Sequence, residues 1–151
     1  MKNTLVLFFV FVVILLSSHT LGQDKNEILE AGSIWTNQSG STLYIQSADP
    51  STGRISGYYI NREQGYGCQN TQYPLTGWVF GTAITFTVIW DNSTESCNSI
   101  TSWTGFYYNG VITTLWQLVV NGLTNVNQIA QGKDIFSPGS QKENDSLILM
   151  K

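Results

Sequence analysis

The sequence predicts an all-β protein, an eight-stranded antiparallel up-and-down β-barrel, from three observations. After residue 22 the chain is rich in Thr, Ser, Tyr, Trp, Ile and Val, which favour strands, and Gly, Asn and Asp interrupt them. No stretch of that part keeps a helical apolar period for more than two turns. Eight strand-like segments with short links form a meander, and closing a meander into a barrel removes its exposed edges. A two-sheet sandwich is the alternative architecture for the same segments.

The first element is a predicted secretory signal peptide, residues 1–22. Met1 and Lys2 precede an unbroken apolar run over residues 5–16, which is shorter than the roughly 20 residues that a membrane-spanning helix needs. A membrane anchor is therefore not expected. Thr20 and Gly22 are the small residues at the expected cleavage point, so we predict a secreted or periplasmic protein. Removing 22 of the 151 residues leaves 129, enough for one domain with a core.

The remaining elements follow in chain order. Residues 23–32 are predicted to be an N-terminal extension, 33–136 the barrel and 137–151 a flexible C-terminal tail. The predicted strands span residues 33–38, 41–47, 54–62, 73–79, 82–90, 99–108, 111–120 and 128–136. Two links carry clear turn chemistry, the D-P-S-T-G stretch at 49–53 and Asn109-Gly110, which is typical of a two-residue hairpin. Sequential strands should therefore pair antiparallel.

Alternation along the predicted strands puts indoles on the same faces as core residues. In the fifth strand Ile84, Phe86, Val88 and Trp90 share a face, and in the seventh Ile112, Thr114, Trp116 and Leu118 do. A single tryptophan at a strand end is ordinarily core packing. Several of them, interleaved with polar residues, predict an aromatic-walled cavity, and a barrel of eight strands can hold one small ligand.

Charge and composition exclude several functional classes. The only histidine, His19, lies in the predicted signal, so the exported form lacks the histidine of Ser-His-Asp, Cys-His and most zinc sites. Without Lys2, six basic residues face ten acidic ones, and the charge of about −4 with no basic stripe argues against nucleic acid. Asp91, Glu95 and Asp134 show no spacing that would pair two carboxylates across a substrate. We therefore predict a binding protein and not an enzyme.

The two cysteines, Cys68 and Cys97, are predicted to pair, because thiols of exported proteins tend to form disulfides. A disulfide that closes the loop between Cys68 and Cys97 should stabilise the folded state by roughly 3 to 4 kcal/mol, because it lowers the conformational entropy of the unfolded chain. Two unpaired buried thiols are the alternative.

Seven motifs then carry a family resemblance in consistent order and spacing. They are W-T-N-Q-S-G-S at 35–41, G-Y-Y-I-N at 57–61, Y-P-L-T-G at 73–77, T-V-I-W at 87–90, S-W-T-G at 102–105, L-W-Q-L at 115–118 and G-K-D-I-F at 132–136. Together they resemble avidin and streptavidin, and most closely the rhizavidin-type dimeric bacterial avidins. The resemblance implies a streptavidin-like barrel that binds biotin at one open end without converting it, and with no cofactor or metal.

The resemblance also implies roles for individual residues. Asn37, Ser41 and Tyr59 would donate to the ureido oxygen, Asn61 and Asp134 would accept from the ureido N–H groups, Thr101 would meet the thioether sulfur, and Trp90, Trp103, Trp116 and Leu118 would wall the rings. Ser99 and backbone groups near Gly65 and Cys97 would meet the valerate carboxylate, and Ser39 would also belong to the biotin site. The Cys68–Cys97 bridge would restrain a loop beside the pocket mouth.

The same resemblance favours a homodimer. Tetrameric members carry a tryptophan in the link before the last strand that covers a neighbour's ligand, whereas residues 121–131 here contain no aromatic side chain. Asn-X-Ser/Thr sequons occur at Asn37, Asn92 and Asn144, and a glycan on Asn37 would obstruct the pocket, which favours a bacterial source. A secreted carbohydrate-binding β-domain is the alternative function. A lipocalin-like carrier is less consistent with so polar a predicted lumen.

Overall fold

The computed structural model describes residues 29–139. The predicted signal peptide, residues 23–28 of the predicted extension and residues 140–151 of the predicted tail lie outside the described residues. Eight strands form one closed antiparallel barrel, in which each strand pairs with the next and the last pairs with the first. The strands are β1 Ile34–Asn37, β2 Thr42–Ala48, β3 Arg54–Ile60, β4 Gln72–Phe80, β5 Ala83–Asp91, β6 Ser96–Tyr108, β7 Val111–Val120 and β8 Ala130–Pro138. This closure confirms the predicted barrel and excludes the sandwich.

Three strands differ from the prediction by more than one residue at an end. β6 begins at Ser96, three residues early, because Asp91 pairs with Ser96 after a register irregularity and so lengthens the hairpin. β8 begins two residues late, because Val126–Gln128 form a short 3-10 helix whose N-terminus is capped by the Asn125 side chain, and it ends two residues late, because Pro138 still pairs with Trp35. β3 ends at Ile60, and Asn61 then makes an isolated bridge to the following loop.

Alternating residues of each strand fill the barrel. In β5 the side chains of Ile84, Phe86, Val88 and Trp90 are all buried while their neighbours point outward, as the period of two requires. Phe86 stacks on Trp103 with ring centroids 4.8 Å apart. Leu29, ahead of β1, is also buried against this core. The floor of the barrel is therefore packed solid, and open space is left toward the other end.

The tight turns at the closed end adopt the predicted conformations. Asn109 and Gly110 have φ of 49° and 82°, both left-handed, which matches the right-handed twist of the β6–β7 hairpin. In the β2–β3 turn the Asp49 carboxylate accepts from the Ser51 hydroxyl and the Thr52 hydroxyl, and these bonds lower the pKa of Asp49 to about 2. Within residues 29–139, no helix is long and apolar enough to span a membrane.

Candidate functional site

A cavity of about 420 Å³ opens at the barrel end where β1, β3 and β5 finish. The sequence-predicted site residues that line it are Asn37, Ser39, Ser41, Tyr59, Asn61, Trp90, Cys97, Ser99, Thr101, Trp103, Trp116, Leu118 and Asp134. The structure thus brings together residues from six of the eight strands and from the loops beside them. Lining residues that the sequence did not indicate are Gln38, Glu63, Tyr66, Gly67, Val120 and Lys133, and Cys68, predicted beside the mouth as a disulfide partner, lines the cavity too.

Gly65 is the predicted residue that the cavity does not include. It has φ of +87°, and nothing lies within 4 Å of where its Cβ would be, so it sits at the outer edge of its loop. The loop instead turns Tyr66 and Gly67 toward the opening. Because this segment has no strand periodicity, its inward residues could not be read from sequence.

Asp134, on β8, is the polar centre of the cavity and is only 6% exposed. Its Oδ1 accepts from Asn37 Nδ2 at 3.1 Å and from Gln38 Nε2 at 2.8 Å, and its Oδ2 accepts from the indole N–H of Trp103 at 2.8 Å. Three donors offset the cost of burying the carboxylate. A carboxylate has about four acceptor positions, so one remains for a ligand N–H.

The turn after β1 fixes the orientation of Asn37. The Asn37 Oδ1 accepts from the backbone N–H groups of Ser39 and Ser41, at 3.1 and 2.8 Å, in a turn where Gly40 has φ of 81°. This arrangement directs the Asn37 amide N–H groups at Asp134 and, at 3.4 Å, at the Tyr59 hydroxyl. A short polar side chain at position 37 is therefore required by the turn and by the cavity together.

A second polar group lies across the cavity floor. The Ser41 hydroxyl accepts from the Arg62 N–H at 2.9 Å and donates to the Asn61 Oδ1 over a long 3.5 Å. The Asn61 Oδ1 also accepts from the Glu63 N–H at 3.0 Å, while its Nδ2 donates to the Gly67 carbonyl at 3.0 Å. Asn61 is thus oriented with its oxygen toward Ser41 and its nitrogen toward the loop.

Tyr59 joins the polar centre to the aromatic wall. Its ring lies 4.9 Å from Trp103 and 5.8 Å from Trp90, measured between centroids. Burial first, and then the charge of Asp134, raise the pKa of the Tyr59 hydroxyl far above its ordinary value of 10.0. The raised pKa keeps the Tyr59 hydroxyl protonated, and this hydroxyl, which accepts from Asn37 and interacts with the Ser41 side chain, can donate a hydrogen bond to a ligand.

The wall of the cavity is aromatic and held by hydrogen bonds and close packing. The Trp90 indole N–H donates to the Thr101 hydroxyl at 2.7 Å, and both side chains are buried. The Trp116 ring lies so close to Gly132 that an added Cβ there would approach the ring to 2.5 Å. Gly132 is consequently the residue that leaves room for this indole. Trp35, by contrast, packs edge-on against Tyr107 away from the cavity.

A disulfide restrains the loop at the mouth. Cys68 and Cys97 are bonded, with Cα atoms 6.1 Å apart, which confirms the predicted pairing. The Cys68 N–H also donates to the Glu95 carboxylate at 3.2 Å. These three residues form the only group of potential metal ligands found between residues 29 and 139. Because both sulfurs are in the disulfide, no thiolate is available there to hold a metal.

Comparison with known proteins gives consistent matches. The family model described as Avidin family matches residues 25–139. Afifavidin from Afifella pfennigii is 44% identical over 109 residues, which cover 70% of this chain and 67% of the relative. The solved structure of apo shwanavidin superposes with a TM-score of 0.72 at 58% identity, covering 74% of this chain and 97% of that one. A rhizavidin–biotin complex superposes with a TM-score of 0.67 at 50% identity, covering 75% and 96%.

Proposed function

Since the chain belongs to the avidin family, we propose that it binds biotin non-covalently, without chemical conversion, in the cavity at the open end of the barrel. The observation that carries the proposal is the convergence of Asn37, Ser41, Tyr59, Asn61 and Asp134 in one cavity. The similar rhizavidin has been solved as a biotin complex. Biotin is the ligand here, and no cofactor is needed for binding alone.

The polar centre matches the inventory of a ureido group. A ureido group offers one strong acceptor and two N–H donors, and each must be paired when it is buried. The Tyr59 hydroxyl would donate to the ureido oxygen. The two long bonds, 3.4 Å from Asn37 to Tyr59 and 3.5 Å from Ser41 to Asn61, are the ones that this oxygen would replace.

Replacing these two long bonds provides acceptors for the ureido N–H groups as well as donors for the ureido oxygen. When Ser41 turns to the ureido oxygen, one lone pair of the Asn61 Oδ1 becomes free for a ureido N–H. The remaining acceptor position of the Asp134 carboxylate then accepts from the second ureido N–H. The shorter bonds that orient these side chains, such as the 2.8 Å bond from the Ser41 N–H to Asn37, can persist. Binding therefore requires little rearrangement, which lowers its entropic cost.

The aromatic wall supplies the apolar contribution. Trp90, Trp103 and Trp116, with Leu118, surround the space above the polar centre. An aromatic side chain presents about 150 to 250 Å², and only the part of it covered by the ligand contributes, at roughly 25 cal/mol per Å². Thr101, bonded to Trp90, faces the thioether, and Ser99 lies near the mouth, where the valerate carboxylate would leave the cavity.

Thermal unfolding with and without biotin tests the proposal and separates it from carbohydrate binding. Biotin should raise the unfolding midpoint strongly, since a ligand that binds the folded state at 1,000 times its Kd stabilises it by about 4 kcal/mol. Desthiobiotin, which keeps the ureido group but lacks the sulfur, should also raise it. Neutral monosaccharides serve as controls. A shift with a sugar and none with biotin would support the alternative function instead.

We also propose that the protein is a homodimer. Outward side chains of β5–β8 include Ile89, Ile100, Leu115 and Ile135, which are 41–68% exposed. Ile89 and Ile100 pair across neighbouring strands, so part of this surface is continuous. A stable interface covers about 800 Å² per partner, and a second copy placed on this face would cover these exposed apolar side chains. Native mass spectrometry with biotin measures subunit number and occupancy together, and a monomer at micromolar concentration would contradict this assignment.

Export is the third part of the proposal. The apolar run over residues 5–16 behind Lys2 is typical of a signal peptide, and a disulfide is typical of proteins in oxidising compartments. N-terminal sequencing of the protein recovered outside the cytoplasm should begin at Gln23. Recovery of an uncleaved chain from the cytoplasm would contradict it.

A further inference from the structure

The Gln38 side chain holds three successive residues of β8. Its Nε2 donates to the Lys133 carbonyl at 3.2 Å and to the Asp134 Oδ1 at 2.8 Å. Its Oε1 accepts from the Ile135 N–H at 3.0 Å. One carboxamide therefore bonds the backbone on both sides of Asp134 and the Asp134 side chain itself.

These bonds lie just beyond the short β1–β8 ladder that closes the barrel. β1 pairs with β8 through three residue pairs, and the last of them is Asn37 with Phe136. Beyond Asn37 the chain turns away, so β1 offers no backbone partner to residues 133–135. The carboxamide of Gln38 carries one acceptor and two donors, which is enough to substitute for a strand peptide group and to bond the carboxylate as well.

We infer that Gln38 is a positioning residue that fixes the Asp134 carboxylate for ligand binding, an inference that rests on the proposed biotin site. Asn37 and Gln38 both donate to Oδ1, and Trp103 donates to Oδ2. With donors on both oxygens the carboxylate cannot rotate, and its remaining acceptor position points into the cavity. Without Gln38, residues 133–135 of β8 and the Asp134 carboxylate would gain freedom that binding must remove.

Three substitutions separate carboxylate positioning from simple closure of the barrel. Gln38→Ala removes all three bonds, and Gln38→Met removes them while keeping side-chain length. Gln38→Glu keeps an acceptor for the Ile135 N–H but provides no donor for Asp134 and places a second carboxylate beside it. Gln46→Ala is the matched control, because Gln46 is an exposed glutamine on β2 that does not line the cavity.

The measurements are the biotin dissociation rate and the hydrogen exchange of the Ile135 amide. Gln38→Ala and Gln38→Met should release biotin roughly 10-fold faster, the effect of one net hydrogen bond, and should expose the Ile135 amide to faster exchange. Gln38→Glu should release biotin at least as fast while keeping much of the Ile135 protection. Gln46→Ala should match the parent protein in both.

The two readouts distinguish the possible failures. If the Ile135 amide exchanges faster in Gln38→Ala but every Gln38 variant releases biotin within twofold of the parent, Gln38 closes the barrel without positioning Asp134, and the inference is wrong. If neither quantity changes, the three bonds do not form in solution and the inference is likewise wrong. If the parent protein binds no biotin, the proposed function fails first and the inference fails with it.

Discussion

Asp134→Ala should weaken biotin binding more than its effect on folding can explain. The substitution removes the proposed acceptor of a ureido N–H, and a hydrogen bond to a charged group contributes about 1.5 to 3 kcal/mol. The dissociation constant should therefore rise roughly 10- to 150-fold. Further weakening is expected because Asn37 loses the partner that orients its amide.

The same substitution lowers stability by an amount that the structure bounds. Trp103 is 4% exposed and Asn37 is 7% exposed. The Trp103 indole N–H and the Asn37 amide N–H would therefore both lose a buried acceptor. Each unsatisfied buried donor costs about 1 to 3 kcal/mol, or about 2 to 6 kcal/mol for the pair. Gln38 is exposed, and water can replace its bond to the carboxylate.

Titration calorimetry of folded protein measures the first effect, and denaturant unfolding without ligand measures the second. Asp134→Asn is the second variant, since it keeps the shape of the side chain but turns one acceptor into a donor facing other donors. Asp49→Asn, in the β2–β3 turn far from the cavity, is the control for loss of a hydrogen-bonded carboxylate. Unchanged biotin affinity in folded Asp134→Ala would remove Asp134 from the ligand site and refute the reasoning.

Three further outcomes are expected. Gly132→Ala should displace the Trp116 indole and speed biotin release. It should also reduce the change in tryptophan fluorescence that accompanies biotin binding. An unchanged biotin dissociation rate would show that the ring can move without cost. Because the pKa of Tyr59 is raised on folding, the contribution of its protonated hydroxyl to the free energy of unfolding is complete below pH 10.0 and is lost as the pH rises above that value. Tyr59→Phe should therefore flatten the alkaline limb of a plot of the free energy of unfolding against pH. Reduction of Cys68–Cys97 should speed biotin release while circular dichroism still reports a barrel; an unchanged off-rate would limit the bridge to a stabilising role.

The parts of the barrel with regular alternation could be predicted from sequence. In β5 and β7 the period of two identified the inward faces, including Trp90 and Trp116, because a strand inside a barrel has one buried side. Asn109-Gly110 fixed one hairpin through its need for left-handed φ. These features depend on neighbouring residues only, so a single sequence contains them.

Features that depend on tertiary contacts could not be predicted in the same way. Gln38 would point outward by alternation, yet the turn after Asn37 brings its carboxamide onto β8, nearly a hundred residues away in sequence. Tyr66 and Gly67 line the cavity, while Gly65 does not, because the conformation of their loop is set by the disulfide and by the bond from Asn61 to the Gly67 carbonyl.

The places where the chain enters and leaves the barrel determine how the molecule can be attached to another protein or to a surface. β1 starts and β8 finishes side by side, and the Gly139 N–H donates to the Ile34 carbonyl at 2.8 Å. Both lie at the closed end, whereas the mouth is at the opposite end, beside Asn37 and Trp90. A fused protein or a solid support attached to the barrel beside Ile34 or Gly139 would therefore lie at the closed end and leave the mouth clear for bulky biotinylated cargo.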